Sequence, residues 1–192
     1  MCVSVTATLP AGTNLDALRR VLHPYSRALR RLKNARVLDQ LPPGEMYFLA
    51  NGPGGLYNTS LGTLYDQPDV DPAAYQADYL ARCTKKLRQK GWGRARIERW
   101  VGEKRKYFAR SGQEQERYDR AARDEANYWV NVIRTVVASG VAPHMGLLIH
   151  MYGGKREDEH FIIKRIEKTR KDALEADLLL RMEEEVLYVF HE

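Results

Sequence analysis

Polar and apolar residues alternate over positions 2–9 (CVSVTATL), with Val3, Val5 and Ala7 on one side and Ser4, Thr6 and Thr8 on the other. This period of two in a β-branched run predicts a strand. Pro10, Gly12 and Thr13 end it, and the period changes. Leu15, Leu18, Leu22, Tyr25, Leu29 and Leu32 recur at spacings of three and four, the stripe of an amphipathic helix. Thr13 is its expected N-cap, and Asp16 suits the first turn. Pro24 inside the stripe predicts a kink, or a break at His23.

Pro42-Pro43-Gly44 introduces a second strand, Met46 to Ala50, which runs into the loop signal Asn51-Gly52-Pro53-Gly54-Gly55. From there to Gly140 the pattern is helical. Asp71-Pro72 reads as N-cap and first residue of a helix that Gly91 stops, with Tyr75, Tyr79, Cys83 and Leu87 recurring every four residues. A second helix is expected from about Arg94 to Arg110. Ser111 and Glu114 have capping-box spacing for a third, carrying Tyr118, Ala122, Trp129, Val132, Ile133 and Val136 and ending at Gly140. Strand character returns over Met145 to Tyr152, followed by the turn Gly153-Gly154-Lys155. Residues 161–167 fit either the return strand of a hairpin or a first helical turn, because Ile162 and Ile166 are four apart. A helix over 173–182 and a short buried strand over 186–190 close the chain.

With 56–140 set aside, the order is βαβ-βαβ, the split-βαβ or ferredoxin-like pattern. The expected fold is therefore α+β. A small mixed sheet with that connectivity is built from 1–55 and 141–192, with a three-helix insertion at about 56–140, all within a single domain of 192 residues. A hydrophobic share of 44% with 29% charged residues fits a globular chain and is too apolar for a disordered one. No run approaches the roughly 20 apolar residues of a membrane helix, and no basic region precedes an apolar run at the N-terminus. Two cysteines make no disulfide framework. A cytoplasmic protein with no membrane partner is expected.

Charge changes the picture most. Arg82 to Arg110 holds twelve Lys or Arg against Glu98 and Glu103, while residues 1–81 carry seven charges of each sign and residues 111–192 are net acidic. The same segment contains Trp92, Trp100, Tyr107 and Phe108. On a helical wheel from Arg94, Ile97, Trp100, Val101, Tyr107 and Phe108 fall in one arc of about 120°, and Arg96, Arg99, Lys106 and Arg110 in a narrower one. Lys85, Lys86, Arg88, Lys90 and Arg94 extend the cations across the turn Gly91-Trp92-Gly93, whose indole is placed to stack on a base. This is the footprint of a surface that holds a polyanion. A solvated cationic face over an apolar core is its plain structural alternative.

Three other groups carry candidate chemistry. Gly52, Gly54, Gly55, Asn58, Thr59 and Ser60 offer amides and hydroxyls after a strand, the parts of an anion nest, but without P-loop or dinucleotide spacing. A connecting loop uses the same residues. If Met1 is removed, Cys2 carries a thiol beside a free α-amine that serves as its base. The Met1-Cys2 start resembles that of N-terminal-nucleophile glutamine amidotransferases, and this resemblance implies Cys2 as nucleophile. Val3 stands where those enzymes have glycine, and they have many more strands. In an alternating strand Cys2 otherwise acts as a small apolar residue. His150 and His160 would face each other across a 145–167 hairpin, whereas no His pair has zinc-site spacing. Glu183-Glu184-Glu185 reads as a helix end on a solvated face.

The expectation is thus a binding protein without cofactor or metal, presenting its basic, aromatic-containing helices to nucleic acid or an acidic protein surface. The alternatives are a small-substrate hydrolase or transferase that uses loop 52–60, with Cys2 as nucleophile, and an interaction module that forms homodimers.

Overall fold

Alternation places strand β1 (Cys2–Pro10) with Val5, Ala7 and Leu9 on one face and Ser4, Thr6 and Thr8 on the other, and all six side chains are buried. A polar row can be buried only where both faces of a sheet are covered, and that is the arrangement here. The computed structural model describes residues 2–25, 29–50, 59–64, 71–89, 91–153 and 155–192, with only the backbone of Cys2, Pro72, Tyr75 and Lys86. Helix α1 (Leu15–Leu22) follows β1. It is capped by Asn14 rather than Thr13, the Asn14 Oδ1 accepting from the amides of Asp16 and Ala17. It stops ahead of Pro24, and a 3-10 turn covers His23–Tyr25. Then come the two-residue strand β2 (Arg30–Arg31), the short helix α2 (Ala35–Leu38) and β3 (Glu45–Ala50).

Helices α3 (Pro72–Gln89) and α4 (Arg94–Ala138) precede β4 (His144–Tyr152). The expected break at Ser111 does not occur. The Ser111 hydroxyl donates back to the Phe108 carbonyl within one 45-residue helix, so its side chain accommodates the helix instead of capping a new one. The last elements are β5 (Arg165–Arg170), α5 (Ala176–Leu180) and β6 (Val186–His191).

The six strands form one open mixed sheet in the order β2-β3-β1-β4-β6-β5. All pairings are antiparallel except β5 with β6, which the α5 crossover joins as a parallel βαβ unit. Two expectations are corrected. Split-βαβ connectivity puts a third strand between the two that α1 joins, whereas β3 lies directly against β1, Val5 opposite Ala50. Residues 165–170 do not return along β4 as a hairpin but pair with β6, Ile166 opposite Leu187. The mixed α+β class holds.

The chain divides into two compact units, Met1–Asp66 with Ala121–Glu192, and Gln67–Arg120. In the first, the Val5-Ala7-Leu9 face packs against Leu18 and Leu22 of α1, Trp129, Ile133 and Val136 of α4, and Leu179 and Leu180 of α5. The opposite face packs Tyr47, Leu49, Leu148 and Tyr152 under Leu32, Val37, Leu41 and Phe161. Among the described residues no helix is long and apolar enough to cross a membrane.

Gly62 is required where it stands. Its φ is +76°, and a Cβ there would lie 2.6 Å from the Met182 carbonyl oxygen and 2.4 Å from Ile149 Cδ1. Gly62→Ala is expected to destabilise the protein by about 2 kcal/mol, through backbone strain and overpacking. The urea midpoint checks this, and an unchanged midpoint would show that the segment yields freely.

Candidate functional site

The basic segment folds as helix, turn, helix within the Gln67–Arg120 unit. α3 begins at Asp71, whose carboxylate accepts from the Ala73 amide. It ends in a Schellman motif: the Gly91 amide donates to the Arg88 carbonyl and the Trp92 amide to the Leu87 carbonyl, with Gly91 at φ +77°. Only a residue without Cβ takes that conformation cheaply. The glycine therefore fixes where Trp92 emerges. The Gly93 carbonyl accepts from the amides of Arg96 and Ile97 and starts α4.

Trp92 is half-buried, and the Arg96 guanidinium lies 3.7 Å above its ring. The indole is thus already covered on one face by a cation, a contact worth about 0.5–1 kcal/mol at such a site. Stacking holds the guanidinium plane while leaving its N–H edge available for phosphate oxygens. Lys85, Arg88, Arg94, Arg96, Arg99, Lys106 and Arg110 are all exposed. Arg94 is engaged by Glu98 at 2.7 Å, and Arg82 by Asp78 at 2.9 Å. Among the described residues, Lys85, Arg88, Arg99, Lys106 and Arg110 form no ion pair. Lys90 and the Lys86 side chain lie outside the described residues.

Along α4, Arg96, Arg99, Lys106 and Arg110 keep within an arc of about 80° and span about 21 Å, with Glu103 as the one acid among them. The apolar arc behaves as expected for Ile97, which is buried, and for Trp100, Val101 and Phe108, which are half-buried, Phe108 meeting Tyr79 edge-on at 5.7 Å. Tyr107 departs from it. It lies at the border of that arc on the cationic side and is 62% exposed, with the Lys104 ammonium 5.5 Å from its ring. The aromatic free to stack is therefore Tyr107, which the wheel assigns to packing.

In the glycine-rich loop, Gly52, Gly54, Gly55 and Asn58 lie outside the described residues, as does the Cys2 side chain. Thr59 and Ser60 are described, and both serve an internal anion. The Thr59 hydroxyl donates to Glu125 Oε1 at 2.6 Å and the Ser60 amide to Oε2 at 2.8 Å. Glu125 is buried at 7% exposure, one residue before Ala126 on the Ala122-Ala126-Trp129-Ile133 stripe. An acid beside an apolar stripe is the sequence signal for it. Two donors of the proposed anion loop are thereby already committed.

The histidines are also redistributed. His160 is exposed, and no hairpin brings it opposite His150. His150 is buried, stacked on Phe161 at 3.9 Å, with Nδ1 3.3 Å from Glu185 and Nε2 4.0 Å from Glu159. The run 183–185 is accordingly not a solvated face: Glu183 pairs with Arg165 and Lys164, and Glu185 with His150. Burial holds the His150 imidazole below its ordinary pKa of 6.5, outweighing the neighbouring carboxylates. In the folded protein it resists protonation that the unfolded chain accepts, so its contribution to stability is complete above pH 6.5 and declines as pH falls below it. The urea midpoint of wild type is expected to drop more steeply below pH 6.5 than that of His150→Phe. Parallel profiles would remove His150 as the cause.

No family model matches the chain, and neither a curated protein nor a solved structure was found that is similar to it.

Proposed function

We propose that the protein binds nucleic acid through the exposed cations of α3 and of α4 up to Arg110, with Tyr107 and the Trp92–Arg96 stack beside them. One observation carries this reading: the entire net charge resides in the helical unit. Gln67–Arg120 holds fourteen Lys or Arg against eight Asp or Glu, whereas the sheet-containing unit holds seventeen of each. Segregation of this kind gives a local positive field without making the whole molecule adhesive. The exposed ring of Tyr107 among the cations favours nucleic acid over an acidic protein surface, because every base offers a face to stack on.

The test is a mobility assay on short RNA and DNA across a salt gradient, with the 260/280 nm absorbance ratio of protein purified at low salt. Binding whose logarithm falls linearly with the logarithm of salt concentration is expected. Absence of any shift at about 50 mM salt, where phosphate contacts are strong, would sink the reading. Equally tight binding of polyglutamate would replace nucleic acid with an acidic protein.

A further inference from the structure

Two neighbouring rows along α4 differ in chemistry. Counting from Arg96, spacings of four, three and four place Trp100, Glu103 and Tyr107 in one row. Arg99, Lys106 and Arg110 make the row beside it, and all three are exposed. From Arg96 to Tyr107 the first row runs about 16 Å, at 1.5 Å per residue. It starts at the Trp92 ring, which the Arg96 guanidinium covers at 3.7 Å, and passes the half-buried Trp100. It ends at Tyr107, whose ring is 62% exposed, with the Lys104 ammonium 5.5 Å from its centroid and Phe108 edge-on at 5.9 Å.

The two rows suit different parts of a nucleotide. Cations hold phosphates, and rings hold the faces of bases. Glu103, exposed between the cations and the rings, repels a phosphate but accepts a hydrogen bond from the amino group of a base. A single strand laid along α4, with its phosphates on the Arg99 row and its bases over the Tyr107 row, meets all three demands. A duplex does not. Its base faces are covered by their neighbours and its grooves present only base edges, so the Tyr107 ring finds nothing to stack on.

We infer that this surface selects single-stranded nucleic acid over duplex, taking unstacked bases on the Tyr107 row and phosphates on the Arg99 row. The inference rests on the nucleic-acid reading and adds to it the strandedness of the ligand. Charge alone predicts the opposite preference, because a duplex concentrates about one phosphate per 1.7 Å of its axis. Selection of the single strand is therefore a signature of the rings.

The test uses the full chain and two labelled probes, a short DNA strand of mixed sequence and the blunt duplex it forms with its complement. Fluorescence polarisation at about 150 mM salt, where surface charges are well screened, gives the two affinities. Wild type is expected to bind the single strand at least about fivefold more tightly, the lower value of one base stacked on a ring. Tyr107→Ala should abolish the preference by weakening single-strand binding alone, and Tyr107→Phe, which keeps a ring, should preserve it. Equal or tighter binding of the duplex, or a Tyr107→Ala variant that still prefers the single strand, would overturn the inference and leave nucleic-acid binding standing. Binding of neither probe, at this salt or at about 50 mM, would remove the nucleic-acid reading itself and the inference with it.

Discussion

Reversing Arg96, Arg99 and Lys106 together to Glu is expected to lower affinity for short nucleic acids by about 100-fold or more at about 50 mM salt. The three lie on one arc of α4 with Arg110, all exposed, and neither Arg99 nor Lys106 is engaged by an acid among the described residues. Each cation–phosphate pairing that the substitutions remove should flatten the slope of log affinity against log salt by about 0.9, hence by about 2.7 for three. The fold should survive, because these side chains are exposed and the packing they give up is the Arg96 contact on the Trp92 ring, worth about 0.5–1 kcal/mol; an unchanged far-UV circular dichroism spectrum and a urea midpoint lowered by no more than that check it. Reversal of Arg19, Arg20 and Arg36, exposed in the other unit, makes the same change in net charge and is expected to alter affinity only a few-fold. If that control weakens binding as much as the α4 variant, overall charge rather than the helical surface governs binding. If the α4 variant binds as wild type, the cations are only a solvated face. Tyr107→Ala then reports on stacking, with a loss of about 1–3 kcal/mol that persists at high salt, where the phosphate term has faded.

The strands were legible because alternation is a property of the strand itself: β1, β3, β4 and β6 lie within a residue or two of where the pattern put them. Their order was not legible. Alternation tells which side chains share a face and is silent on which strand lies alongside. β5 was obscured by its own chemistry, since an edge strand reading Arg-Ile-Glu-Lys-Thr-Arg carries the charges that keep such an edge from pairing with another chain. α4 was divided too early because Ser111 and Glu114 match a capping box in letters, and only the direction of the Ser111 hydroxyl distinguishes a cap from a helical serine. The basic surface was visible as composition, while its exposed aromatic was misplaced by one position on the wheel.

Glu125→Ala is expected to destabilise the protein by about 3–6 kcal/mol, the value of two charge-assisted hydrogen bonds at about 1.5–3 kcal/mol each. The carboxylate joins α4 to the segment that follows β3, taking the Thr59 hydroxyl on one oxygen and the Ser60 amide on the other. The arrangement extends further: Thr59 Oγ1 also accepts from the Leu61 amide, placing the buried Leu61 side chain in the core, and the Thr59 amide donates to the Val3 carbonyl. Removing the carboxylate leaves two donors without an acceptor where little water reaches, which costs more than the bonds themselves contribute. Glu125→Gln retains one acceptor and should lose about half as much. Thr59→Val alone removes one donor and leaves the Ser60 bond intact, so it should cost about 1–2 kcal/mol. The double variant Thr59→Val/Glu125→Ala should then be less destabilised than the sum of the two, because each substitution removes the partner the other strands. Denaturant unfolding of the four proteins reads this coupling directly. Strict additivity would mean that the short Thr59–Glu125 contact is structurally idle, and a loss under about 1 kcal/mol for Glu125→Ala would mean that solvent replaces the carboxylate. Either result would return Thr59 and Ser60 to the pool of donors open to an external anion.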